Sequence, residues 1–274
     1  MKSALTAAWI GLAVCTGSVP LLAQLQDNSE KQMTCANGGD NGDRARHCEI
    51  REQTVASTGS LNVDAGQNGG VSIKGWLQGG VLVRARVEAY ADTQAAAASL
   101  VSQVAVSSSG GQVRAAGPQP VNDSSWSVSY EIFVPQTSDL SVKAHNGGLT
   151  ISDVRGQIHF EGTNGGVHLR RVAGDVSGTT VNGGIQADLT GAIWEGRQLE
   201  IGTQNGGVTV SLPSYYSAHV QAETGNGRIQ SDFAMAQAGE TRPRRVDMNL
   251  GSGGPLIHIT TNNGGVRLKK LESQ

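Results

Sequence analysis

The sequence predicts a mainly β chain whose larger part is a β-solenoid of about 18–23-residue repeats, and three observations carry that prediction. The first is a recurring triplet. Asn146-Gly147-Gly148, Asn164-Gly165-Gly166 and Asn182-Gly183-Gly184 follow one another at intervals of 18 residues. The triplet returns at Asn205-Gly206-Gly207, in degenerate form at Asn226-Gly227-Arg228, and at Asn263-Gly264-Gly265. A fixed period of this size marks a repeat architecture. The second observation is alternation of period two on both sides of each triplet. Leu149, Ile151, Ile158, Phe160, Val167 and Leu169 point one way, while Thr150, Ser152, His159, Glu161, His168 and Arg170 point the other. That is a strand with one buried and one wet face. The third is phase. An antiparallel meander would also use Asn-Gly turns, but only stacked coils, about 4.8 Å apart, align the asparagines so that their amides bond from coil to coil.

Asn-Gly suits a tight turn because both residues tolerate positive φ. On that basis Gly165→Val or Gly183→Val is expected to destabilise the fold by forcing an unfavourable φ. A second turn is expected midway through the early repeats, at Arg155-Gly156 and Ala173-Gly174, so that each unit holds two short strands.

In chain order, residues 1–23 have the pattern of a secretory signal peptide: Lys2, an apolar core from Ala4 to Val14, and Leu21-Leu22-Ala23 before Gln24. The apolar run is short for a transmembrane span. Leu12-Ala13-Val14-Cys15 resembles a lipoprotein box, although Cys15 lies early and Val14 is bulky. Residues 24–48 form a polar segment. In an exported chain, the pair Cys35 and Cys48 points to a disulfide closing it. A metal site using His47, Asp40 and Asp43 is the alternative. An isolated Asn37-Gly38-Gly39 in the same loop is expected to be a simple turn.

Residues 49–135 form a β-rich capping region. Strands are expected at Glu49–Val55, Ser60–Asp64, Val71–Trp76 and Val81–Tyr90, with Asn68-Gly69-Gly70 between the second and third. The alanine-rich stretch 92–104 is the one helix, with Asp92 as its cap. Strands resume at Val104–Ala115 and Trp126–Val134. A strand-helix-strand unit here would cover the first coil, whose open edge would otherwise recruit other chains. Repeats then fill 136–271. Residues 192–198 stretch one coil around Trp194, Phe233–Val246 makes a longer excursion through Pro243, and basic Val266–Leu271 is expected as the terminal edge strand.

Recurrent Asn-Gly-Gly-Val/Ile/Leu turns, the Trp126-Ser-Val-Ser-Tyr130-Glu-Ile-Phe-Val-Pro135 strand and the Gly251-Ser-Gly-Gly254 return resemble the putative-adhesin family of repeat-rich bacterial envelope proteins. That family is catalogued as a domain of unknown function. The resemblance covers about residues 48–271 and implies a β-solenoid and an envelope location.

Composition narrows the functions. A net charge of −2, with 16% charged residues among 274, leaves no basic stripe for nucleic acid; the Arg242, Arg244, Arg245 cluster reads as a solvated loop. His47, His145, His159, His168, His219 and His258 mostly fall on the polar phase; a column of His159 and His168 could bind a metal, yet neither has the spacing of a known ligand motif. No Gly-x-Ser-x-Gly elbow occurs. Glu161, Asp188, Glu200, Glu223 and Asp232 are spread singly, whereas polysaccharide cleavage needs paired acids. The turns carry Asn where a calcium β-roll needs Asp. The expected function is therefore a non-enzymatic, adhesin-like binding or structural module of the bacterial envelope, with no cofactor and no metal. The partners expected are a glycan or another envelope protein, with edge-to-edge self-association in addition. A polysaccharide-active β-helix enzyme and an envelope accessory or sensory protein are the alternatives.

Overall fold

The computed structural model describes residues 33–35, 44–119, 121, 123–234 and 243–271. The expected signal peptide, Cys15, the Asn37-Gly38-Gly39 turn, Asp40, Asp43 and Arg242 lie outside the described residues. The elements run β1 (Ala45–Ala56), β2 (Ser60–Asp64), β3 (Val71–Trp76), β4 (Gly80–Ala91), α1 (Gln94–Gln103), β5 (Ala105–Ser109), β6 (Gln112–Ala116) and β7 (Ser125–Pro135). The repeats follow as β8 (Asp139–Asn146), β9 (Leu149–Ser152), β10 (Arg155–Asn164), β11 (Val167–Arg170), β12 (Ala173–Asn182), β13 (Ile185–Asp188), β14 (Gln198–Asn205) and β15 (Val208–Pro213). The chain ends with β16 (Ala218–Asn226), β17 (Ile229–Ser231), β18 (Arg245–Leu250), β19 (Leu256–Asn263) and β20 (Val266–Leu271).

These strands make two ten-stranded sheets, mostly parallel. Each coil places its first strand in sheet B, turns at the asparagine, and places its second strand in sheet A. Between the sheets lie the residues of the inward phase. Leu149, Ile151, Ile158, Phe160, Val167 and Leu169 are all fully buried. Each such side chain contributes roughly 1.5–3 kcal/mol over its exposed state. The outward set is as expected with one exception: Ser152 is buried, its Oγ donating to Ile73 O at 3.5 Å. Trp194, in the stretched coil, also enters the core, and its Nε1 donates to Gly174 O at 3.0 Å.

The order of the coils departs from chain order at both ends. Residues 60–76, which the sequence placed with the capping region, pair in parallel with β8 and β9 as the first coil of the solenoid. At the far end, β19 and β20 insert between β14–β15 and β16–β17. The last strand of the chain is therefore interior, and the expected terminal-edge role of Val266–Leu271 is corrected. At this end the edge strand of sheet A is β17, while β18 closes sheet B by pairing antiparallel with β16.

At the opposite end, β7, β4 and β1 extend sheet A and β6 and β5 extend sheet B. Val104–Ala115, expected as one strand, is a hairpin with Gly110 and Gly111 at positive φ between β5 and β6. Helix α1 packs on β1 and β4 through Ala97, Leu100 and Val101. Its cap is Thr93, whose hydroxyl accepts from Ala96 N at 3.2 Å, and not Asp92.

Two expectations about turns are also corrected. The midway turns fall at Asp153 (φ 60°) and Arg171 (φ 50°), each just ahead of the predicted site. Gly156 and Gly174 lie inside β10 and β12, where a Cβ would sit 2.3 Å from Ser138 O and 2.2 Å from Gly156 O. The asparagines of the triplets are not left-handed, since none is among the positive-φ residues. The first glycine is needed for another reason: a Cβ at Gly165, Gly183 or Gly206 would lie 2.3, 2.0 or 2.2 Å from the carbonyl oxygen of the equivalent glycine one coil away. Close stacking of backbones, more than turn handedness, dictates the glycine.

Candidate binding face

Two repeated polar features run along the solenoid, and their geometry separates scaffold from surface. The first is the turn column. Asn146 Nδ2 donates to Asn68 Oδ1 at 3.1 Å, Asn164 to Asn146 at 2.7 Å, Asn182 to Asn164 at 2.9 Å, and Asn205 to Asn182 at 2.9 Å. Asn263 donates to Asn205 at 2.8 Å and Asn226 to Asn263 at 2.9 Å. Seven amides thus form one unbroken ladder, in spatial rather than sequence order. Two residues before the asparagine, buried Thr180, Thr203, Thr224 and Thr261 add a second column, each hydroxyl donating to a glycine carbonyl of a neighbouring coil at 2.7–3.3 Å. Every interior amide of the turn column is committed to the coil on either side of it.

The second feature is the outer face of sheet B. Strand register aligns Gln112, Asn62, Ser141, His159, Ser177, Glu200, His258, Gln221 and Asp247 in one row across nine strands. Beside it, where strands β2, β8, β10 and β12 begin, lies a groove of about 630 Å³ whose floor includes Asp139, Gln157, Asp175 and Arg197. Asp139 Oδ1 accepts from Gln157 N at 2.8 Å, and Asp175 accepts from Arg197 N at 3.0 Å and Arg197 Nε at 2.6 Å. His159 Nδ1 lies 3.1 Å from Ser177 Oγ, and its Nε2 lies 3.2 Å from Glu161. In contrast, the side chains of Asn62, Gln112, Ser141, Gln157 and Gln198 have no hydrogen-bond partner among the described residues. Their donors and acceptors face the groove uncommitted.

The family model Toastrack DUF4097 matches residues 27–269. The chain belongs to this family. Solved structures similar to the chain include a putative cell adhesion protein from Clostridium sporogenes, 14% identical with a TM-score of 0.43, covering 82% of this chain and 100% of that one. A putative adhesin from Bacteroides fragilis is 11% identical with a TM-score of 0.37, covering 82% of this chain and 97% of that one. No curated protein matches the chain.

Within the Toastrack fold the remaining candidate residues separate. His159 and His168, expected in one column, sit on different sheets, because the turn at Asn164-Gly165-Gly166 carries the chain from sheet B to sheet A between them. No group of three or more metal-ligating side chains occurs among the described residues. Cys35 and Cys48 are joined as a disulfide, with Cα atoms 5.9 Å apart. His47 lies 3.6 Å from Glu49.

The five outward carboxylates are dispersed. Glu161 bonds Lys143 at 3.0 Å, Glu223 bonds Arg245 at 2.8 Å, and Glu200 lies 3.7 Å from His258, all on sheet B. Asp188 sits on sheet A beside Gln186, and Asp232 accepts from Lys270 N at 3.2 Å. The Lys143 ammonium, with His159, holds the Glu161 carboxyl below its usual range, and Arg197 does the same to Asp175. His219, 2.7 Å away, lowers Asp247. A carboxyl that must donate a proton to a glycosidic oxygen needs the opposite shift.

Groove residues Asp139, Gln157 and Asp175 went unnoticed in the sequence, although all three stand seven places before a triplet asparagine. One strand-step further, Ser141, His159, Ser177, Glu200, Gln221 and His258 of the row stand five places before their asparagines and follow the same phase. Reading down the columns of aligned repeats would have found both. None of the helices among the described residues is long and apolar enough to cross a membrane.

Proposed function

We propose that the protein is an exported, non-enzymatic binding module of the bacterial cell envelope that takes a glycan in the sheet B groove. The observation carrying this is the cluster of uncommitted amides and hydroxyls there, set on a scaffold that uses its other repeated amides for itself. Amide and hydroxyl groups at strand spacing match the alternating donors and acceptors of sugar hydroxyls, and rigid strands confine the ordering cost of binding to the side-chain rotamers. The signal-peptide pattern of residues 1–23 and the Cys35–Cys48 disulfide support export to an oxidising compartment. The pairing of Glu161 with Lys143 and of Glu223 with Arg245 on sheet B, with Asp188 on sheet A, supports binding over cleavage, which needs two carboxyls facing one bond.

The test is a glycan array probed with residues 24–274, run beside a polysaccharide-depolymerisation screen. Binding without turnover is the expected result. Turnover of any polysaccharide overturns the proposal, and an array blank at all glycans transfers the face to the other expected partner, an envelope protein.

A further inference from the structure

Every ladder asparagine is followed by glycine, the neighbour that least hinders attack of its own backbone nitrogen on the asparagine side chain. What differs along the ladder is the state of that nitrogen. Gly69 N donates to Asn146 O at 3.0 Å, Gly147 N to Asn164 O at 2.9 Å and Gly165 N to Asn182 O at 2.9 Å. Gly183 N donates to Asn205 O at 3.0 Å, Gly206 N to Asn263 O at 3.0 Å and Gly264 N to Asn226 O at 3.1 Å. The series stops there. Asn226 belongs to the last coil of the parallel stack; there Thr224 N donates to Arg244 O at 2.8 Å and Ile229 N to Pro243 O at 3.0 Å, but Gly227 N between them has no hydrogen-bond acceptor among the described residues. The side chain of Asn226 is likewise tied on one side only. Its Nδ2 donates to Asn263 Oδ1, but its own Oδ1 receives no amide, whereas the Oδ1 of every other ladder asparagine does.

From this contrast we infer that Asn226 is the deamidation site of the ladder, a built-in position of spontaneous modification at the exposed end of the solenoid. In the reaction, Gly227 N loses its proton and attacks Asn226 Cγ. The N–Cγ bond forms, the Cγ–Nδ2 bond breaks, and the amide nitrogen leaves as ammonia with the displaced proton. Water then opens the cyclic imide at either carbonyl to give aspartate or isoaspartate, with no change of oxidation state. At the six other positions the attacking nitrogen is held in a hydrogen bond to the next coil and the amide in the ladder, so the reaction must wait for local opening of the coil.

Conversion removes the Nδ2 donor that ties the end coil to Asn263 and sets a carboxylate against Asn263 Oδ1. Isoaspartate adds a backbone carbon at the end of β16. Both products loosen the terminal coil while leaving the interior ladder intact.

The test incubates the folded full chain at mildly alkaline pH and follows each asparagine by peptide mapping and tandem mass spectrometry, beside the same chain in denaturant. The expected result is deamidation at Asn226 on the order of tenfold or more faster than at Asn68, Asn146, Asn164, Asn182, Asn205 or Asn263 in the folded protein, with the difference collapsing in denaturant. Comparable rates at all seven in the folded protein, faster reaction at an interior position, or a preference for Asn226 that persists unchanged in denaturant would overturn it.

Discussion

The turn column and the outer face of sheet B are both polar, repeated and open to water, yet they do opposite things with their hydrogen bonds. Along the turns, each asparagine amide and each glycine nitrogen of the inner coils is matched by the coil beside it. Across the groove, Asn62, Gln112, Ser141, Gln157 and Gln198 match nothing in the described protein. The difference teaches that repetition alone does not mark a binding surface. A column whose groups satisfy one another is scaffold; a column whose groups remain unsatisfied is where a ligand would be met.

The strongest way to sharpen this contrast lies within a single turn. At Gly165 a Cβ would collide with Gly147 O at 2.3 Å, whereas at Gly166 the nearest atom, Gly184 O, is 3.6 Å away. Gly165→Ala is expected to cost about 3 kcal/mol or more in denaturant unfolding, and Gly165→Val or Gly183→Val to abolish folding, while Gly166→Ala stays within about 1 kcal/mol. Equal losses at Gly165 and Gly166 would contradict the stacking explanation, and a tolerated Gly183→Ala, at a position without positive φ whose Cβ would lie 2.0 Å from Gly165 O, would return it to turn handedness.

Next in size comes the ladder itself. Asn164→Asp deletes the donor to Asn146 and places a carboxylate beside its oxygen; about 1–3 kcal/mol should be lost. The groove substitution Gln157→Ala should leave unfolding within about 0.5 kcal/mol, because that side chain supports nothing. A ladder asparagine that tolerates Asp as well as Gln157 tolerates Ala would break the distinction.

The smallest expected effect separates the two features by pH. Glu161, Asp175 and Asp247, all on sheet B, have folded pKa values below their unfolded ones. Their contribution is therefore fully present above the unfolded carboxylate range, about pH 4, and is lost as pH falls through the lower folded values. The pairs are exposed, so melting temperature should drop only slightly, and less so in added salt. Asparagine amides do not titrate, so Asn164→Asp should introduce a new acid dependence that the native ladder lacks.

Much of the fold was legible because the repeat states it locally. Period two named Leu149, Ile151, Ile158 and Phe160 as core, and the shared phase of the triplets pointed to stacked coils with aligned asparagines. The order of stacking was not legible, because coils of identical phase are interchangeable neighbours. Nothing in Asn226-Gly227-Arg228 or Asn263-Gly264-Gly265 says that the later one packs inside the earlier. The turns at Asp153 and Arg171 were missed because residues other than glycine hold the positive φ. The groove was missed because it belongs to no single repeat: Asp139, Gln157 and Asp175 meet only when three coils are stacked.

The measurement that tests the central claim most directly is a glycan array probed in parallel with the native chain and a Ser141→Ala, Gln157→Ala variant of unchanged melting temperature. The groove proposal predicts that glycans bound by the native chain are lost or weakened by on the order of tenfold in the variant. Identical binding profiles for the two proteins would contradict it.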